Sequence, residues 1–167
     1  MNETQSEAIV EVTTQSPEET VELGRILGTL LQAGDVIALQ GDLGAGKTTL
    51  VQGVARGLGV DRPVTSPTFI LVNEYPSSPR LYHVDCYRLA DAPAEAASIG
   101  LAEILYDDGI CAIEWADRLE GLLPDERLDV RLVWQSDTAR RIILRARGRR
   151  YIELLVDLAR RWKTERT

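Results

Sequence analysis

The chain has 167 residues, of which 44% are apolar and 27% charged, and its formal net charge is −7. That length suits one domain, and a domain of about 150 residues buries roughly 70% of its unfolded surface, enough to stand without disulfides or a structural metal. Two cysteines with no CxxC pair and a single histidine, His83, exclude a zinc cluster, and Cys86 and Cys111 fall inside apolar runs, as buried, reduced thiols do.

No apolar run approaches the roughly 18 residues of a membrane span, and the polar, acidic Met1–Ala8 has no signal core, so a cytoplasmic protein is expected. Charge is uneven. Residues 1–138 carry 9 Lys/Arg against 23 Asp/Glu, and residues 139–167 carry 10 against 3. An acidic body argues against direct DNA binding, which needs a basic surface. The basic tail reads first as a solvated helix face beside a basic strand, with contact to RNA or an acidic partner as the alternative.

In chain order, Ala8–Thr13 reads as a short strand. Ser16-Pro17-Glu18-Glu19 starts a helix, with Ser16 as N-cap, Pro17 at the first helical position and Glu19 closing a capping box. Leu23, Ile26, Leu27, Leu30 and Leu31 give that helix an apolar face, and Gly34-Asp35 breaks it. Val36–Leu39 is a continuous apolar run, the pattern of a parallel strand covered on both faces. Leu50, Val51, Val54 and Leu58 mark a second helix, which Gly57 and Gly59 end.

Phe69–Tyr75 and Leu81–Tyr87 read as strands around the turn Pro76–Pro79, Pro93–Tyr106 as a helix interrupted at Gly100, and Ile110–Trp115 as another buried strand. Leu128–Trp134 and Arg141–Ala146 form a hairpin around Ser136-Asp137. Tyr151, Leu154, Leu155, Leu158 and Trp162 stripe a last helix. The expected fold is an α/β, P-loop NTPase-like three-layer sandwich. It has a mixed, mainly parallel sheet, helices on both faces and a C-terminal hairpin. Residues 1–147 form the domain, and 148–167 supply a basic amphipathic helix packed on it.

Gly41-Asp42-Leu43-Gly44-Ala45-Gly46-Lys47-Thr48 fits G-x-x-x-x-G-K-[ST] without a mismatch, between a buried strand and an amphipathic helix. Glycines let backbone N–H groups approach a phosphate, and the helix that follows aims its N-terminal amides at the same anion. Lys47 should reach the β/γ-phosphates of a nucleoside triphosphate, and the Thr48 hydroxyl should coordinate Mg²⁺. A metal-side acid is then needed at the end of a neighbouring strand. Asp85, after Leu81–Val84, and Glu114, after Ile110–Ile113, both qualify, and spacing does not separate them. Val64–Thr68 occupies the connection where nucleotide switches often place a hydroxyl that senses the γ-phosphate.

Four motifs in this order, GDLGAGKTT at Gly41–Thr49, TSPTF at Thr65–Phe69, HVDCYRL at His83–Leu89 and IEWAD around Glu114-Trp115, resemble the TsaE (YjeE) family. These are bacterial ATPases required for threonylcarbamoyladenosine formation in tRNA. The similarity runs from about Thr13 to Ala146. It implies ATP and Mg²⁺ as cofactors, nucleotide contacts from Gly41, Asp42, Leu43, Gly44, Ala45, Gly46, Lys47, Thr48, Thr49 and Arg140 or Arg141, and Thr48 with Glu114 on the metal. It also implies Lys47, Asp85 and Glu114 as catalytic, Ser16–Glu18 beside the adenine, and TsaB and TsaD as partners in modifying position 37 of tRNAs that read codons starting with A. One departure is Ala116, where many members carry proline.

Two other functions compete. A small-molecule kinase needs an arginine-bearing lid, and Asp91–Tyr106, the internal segment free for one, has no arginine. A GTP-dependent switch needs the Asn-Lys-x-Asp run that reads guanine, which this sequence lacks.

Overall fold

The apolar runs at Val36–Gln40 (β2) and Ile110–Glu114 (β5) lie side by side in parallel, as strands buried on both faces should. The computed structural model describes residues 7–42, 44–65, 72–87, 94, 97, 100–119 and 121–165. Among these, Glu7–Thr14 (β1), Val72–Tyr75 (β3), Leu81–Asp85 (β4), Arg127–Trp134 (β6) and Arg140–Arg147 (β7) complete a seven-stranded sheet ordered β1-β7-β6-β2-β5-β4-β3. β6, β2, β5 and β4 pair in parallel, and the β1–β7, β7–β6 and β4–β3 pairs that flank them are antiparallel. The mixed, mainly parallel sheet and the C-terminal hairpin (β6–β7) are as expected.

The two faces are covered unequally. Pro17–Leu30 (α1), Lys47–Gly57 (α2) and Arg149–Glu165 (α4) pack on one face, where Leu23, Leu27, Leu50, Leu144, Leu155 and Trp162 share a core. On the other face a smaller core gathers Val84, Cys86, Ile113 and Leu119 under Leu101–Leu105 (α3) and the 3₁₀ turn Ala116–Leu119. Basic residues of the tail therefore divide between β7 and α4. Arg150 of α4 pairs with the buried Asp35 at 2.7 Å and donates to the Leu30 carbonyl, which fastens the last helix to the turn before β2.

Ser16 caps α1 as expected, its Oγ accepting from the Glu19 N–H at 3.1 Å, while the Glu19 carboxylate reaches one residue further back, to the Gln15 N–H. α1 and α2 touch backbone to backbone. A Cβ on Gly24, Gly28, Gly53 or Gly57 would stand 2.1–2.3 Å from a carbonyl oxygen of the facing helix. α2 ends at Gly57 with Gly59 in the left-handed turn after it at φ +81, as expected, and Gly57 serves this seam as well.

Several expected boundaries shift. β4 ends at Asp85 rather than Tyr87, because the Asp85 carboxylate accepts from the Tyr87 N–H and turns the chain. β5 ends at Glu114, since Trp115 takes φ 58, outside any strand conformation. Within the expected helix 93–106, α3 covers Leu101–Leu105. Ala94 and Ala97 before it are helical, and Gly100 stands between them and α3 in the left-handed region, the interruption expected there. The expected strand residues Phe69–Leu71, and 93, 95, 96, 98 and 99, lie outside the described residues.

Candidate nucleotide site

The loop after β2 and the first turn of α2 carry the Walker motif. Gly41 lies so close to β6 that a Cβ there would sit 2.5 Å from the Leu132 carbonyl oxygen. Gly46 stands before α2 at φ 99, a conformation that glycine tolerates without strain. Lys47 is the first residue of α2 and is only 5% exposed. Its Nζ donates to the Gly41 carbonyl at 2.6 Å and the Asp42 carbonyl at 3.1 Å, and lies 4.0 Å from the centre of the Trp115 ring. Burial lowers the pKa of this ammonium from its ordinary value, against the opposing pull of Glu114, Asp85, Asp42 and Asp117.

Thr48 settles which strand-end acid meets the loop. Its Oγ1 donates to both Glu114 carboxylate oxygens, at 3.0 and 2.9 Å. Asp85 stands opposite Glu114 in register on the adjacent strand, with one oxygen on the Tyr87 N–H. Glu114 is 3% exposed and also meets Nε2 of His83, a residue with no exposed surface. Hard oxygens from Thr48 and Glu114 suit Mg²⁺, which binds through one or two protein oxygens and takes its remaining ligands from phosphate and water. Among the described residues no group of three or more His, Cys, Asp or Glu is placed to hold a metal ion.

Arg140 and Arg141 part company. Arg140 points to the loop. It donates to the Gly44 carbonyl at 3.1 Å and to the Ser136 and Ala139 carbonyls, while its buried Nε has no hydrogen-bond partner. Arg141 faces the other side of the sheet and pairs with Glu11. β1 pairs with β7 so that Thr14 lies beside Arg140, which brings the start of α1 and Ser16 to the same end of the sheet as the loop.

Leu43, Ser66–Phe69, Arg88 and Leu89 lie outside the described residues, and so do seven of the sixteen residues of 91–106. Of the switch segment, the Val64 carbonyl accepts from Gln52 of α2 at 3.1 Å, and the Thr65 carbonyl accepts from Asn73 of β3 at 3.3 Å. Ala116, where proline was noted as usual, is buried and opens the 3₁₀ turn. Sequence reasoning missed His83 and the Lys47–Trp115 contact. For His83 a signal existed, because two residues before Asp85 on a strand is the same face. For Trp115 none did, since its left-handed backbone breaks the strand period.

Residues 14–142 match the family model described as "Threonylcarbamoyl adenosine biosynthesis protein TsaE". The chain is 43% identical over 148 residues to the tRNA threonylcarbamoyladenosine biosynthesis protein TsaE of Bacillus subtilis, covering 88% of this chain and 92% of that one. It is 41% identical to the Treponema pallidum protein of the same description over 128 residues, 77% of this chain and 94% of that one. The crystal structure of Bacillus subtilis YdiB superposes with a TM-score of 0.81 at 36% identity, covering 95% of this chain and 99% of that one.

Proposed function

We propose a function that starts from one fact: the chain belongs to the TsaE family and so to tRNA threonylcarbamoyladenosine biosynthesis. Within that process it is a cytoplasmic ATPase that binds ATP with Mg²⁺ and couples slow hydrolysis to the working cycle of TsaB- and TsaD-like partners. The observation that carries the reading is the meeting of Thr48 Oγ1 with Glu114, which joins the phosphate loop to a strand-end acid.

The roles follow from position. Backbone amides at the start of α2 and the Lys47 ammonium attract the phosphates. Thr48 and Glu114 hold the metal side, where Mg²⁺ supplies charge neutralisation on the phosphate oxygens when bound. Asp85, beside Glu114, would orient an attacking water. Arg140 secures the loop at Gly44, where its guanidinium would add positive charge beside a nucleotide held by the loop. In comparable NTPases a group supplied in trans contributes roughly 10³–10⁵ in rate, which is the place for a partner protein.

Lys47→Ala should abolish ATP binding in calorimetry. Glu114→Gln and Asp85→Asn should still bind and lose at least about tenfold in turnover, a barrier rise of roughly 1.4 kcal/mol. Phosphate release should rise when a TsaB–TsaD pair is added. Unchanged ATP affinity in Lys47→Ala, or full activity in both acid variants, would refute the site assignment.

A further inference from the structure

We infer that His83 is a positioning residue, holding the Glu114 carboxylate at the orientation the metal side of the loop requires. The inference rests on the nucleotide reading above. His83 is the third residue of β4, pairs in register with Ala112 of β5, and therefore has Glu114 as its diagonal neighbour two residues on. Its Nε2 meets Glu114 Oε2, and both side chains are buried.

Thr48 alone does not orient this carboxylate. It has one proton, shared almost evenly between Oε1 and Oε2, so the two oxygens remain equivalent to it. His83 breaks that equivalence. A donor on Oε2 fixes the plane of the carboxylate and leaves Oε1 as the oxygen with a free lone pair toward the metal side. Donors behind a ligating carboxylate commonly work this way, and removing one costs about 10–100-fold in metal affinity.

The other ring nitrogen strengthens the case. Nδ1 is buried and has no hydrogen-bond partner. A histidine kept for structure would anchor both nitrogens, and one kept to fill space would be better replaced by an apolar side chain, which leaves no polar atom unpaired. Here Nε2 alone has a partner, a carboxylate that accepts hydrogen bonds, and that acceptor is the residue joined to the Walker threonine. An unpaired Nδ1 is tolerated to keep that contact.

Two buried amides make the test. His83→Gln places an amide nitrogen where Nε2 was, and His83→Asn places one where Nδ1 was, so Gln alone keeps a donor for Glu114. Calorimetric ATP titrations at stepped Mg²⁺ give the Mg²⁺ concentration at half-maximal binding, and thermal melts give stability. His83→Asn should raise that concentration about tenfold, with His83→Gln within about threefold of the parent. In a Glu114→Gln background the Asn change should add no further shift. Equal Mg²⁺ responses in the Gln and Asn variants, or a shift that persists without the Glu114 carboxylate, would overturn the positioning role. Absence of Mg²⁺-dependent ATP binding in the parent protein is a different failure, and it would overturn the nucleotide reading itself.

Discussion

Replacing Gly53 by alanine sets two effects of opposite sign against each other. Gly53 lies inside α2, and helix propensity alone favours alanine there by about 1 kcal/mol. Its Cβ, however, would stand 2.1 Å from the Val21 carbonyl oxygen and 2.9 Å from the Gly24 Cα, both backbone atoms of α1. Carbon atoms do not rest that close, so the helices must part by about 1 Å or more, and overpacking of this kind costs about 1–3 kcal/mol. Gly24, Gly28 and Gly57 share the seam, so separation at one point loosens contact along both helices. The net expectation is destabilisation by about 1–2 kcal/mol, or several degrees in Tm for a chain of this size. Urea unfolding at fixed pH measures it. A Gly53→Ala protein more stable than its parent would show that propensity outweighs the seam, and the close-approach argument would be wrong.

Tyr151→Phe should cost about 1–3 kcal/mol in the same urea assay, because the Tyr151 hydroxyl accepts from the buried Val36 N–H at 2.9 Å and phenylalanine leaves that donor unpaired; a loss near zero would mean that another acceptor replaces it. Burial pushes the Cys86 and Cys111 thiols up to about 12. At pH 8 about one in 10⁴ would be thiolate, so neither should react with a thiol-disulfide reagent until the chain unfolds. Rapid reaction of the native protein would contradict their burial.

The parts of this structure legible in the sequence were the parts determined locally. The Walker loop between β2 and α2, the Ser16 cap and the β6–β7 hairpin each rest on neighbours within a few residues. The choice between Asp85 and Glu114 was not local. Both end a buried strand, and only the third dimension brings Thr48 to one of them. The choice between Arg140 and Arg141 was legible in principle. Ile142, Leu144 and Ala146 are the core-facing residues of β7, so strand alternation places Arg140 on their side, toward the loop, and Arg141 opposite. The glycine seam is also written in the four-residue spacing of Gly24/Gly28 and Gly53/Gly57, but a spacing within one helix does not say which surface it meets.

Lys47 shows how the fold changes the meaning of a motif residue. As a lysine in a glycine loop it would supply charge and little else, and its removal would leave the fold untouched. Instead it starts a helix, lies against the Trp115 ring and draws two loop carbonyls together. Arg140 does the same at Gly44, so two cations brace the loop at different carbonyls. Both hold neutral carbonyl acceptors, and a negatively charged oxygen attracts a cation more strongly than a neutral carbonyl does. A phosphate can therefore compete for the Lys47 ammonium, which has only a short distance to travel because the carbonyls that hold it belong to the phosphate loop itself. Desolvation sharpens the exchange, since a buried ammonium gains more from an anion than a solvated one does. The loss of ATP binding expected in Lys47→Ala would thus combine a missing phosphate contact with a loop that has lost one of its braces. Arg140, which braces the loop without belonging to the motif, couples the β6–β7 hairpin to the same loop.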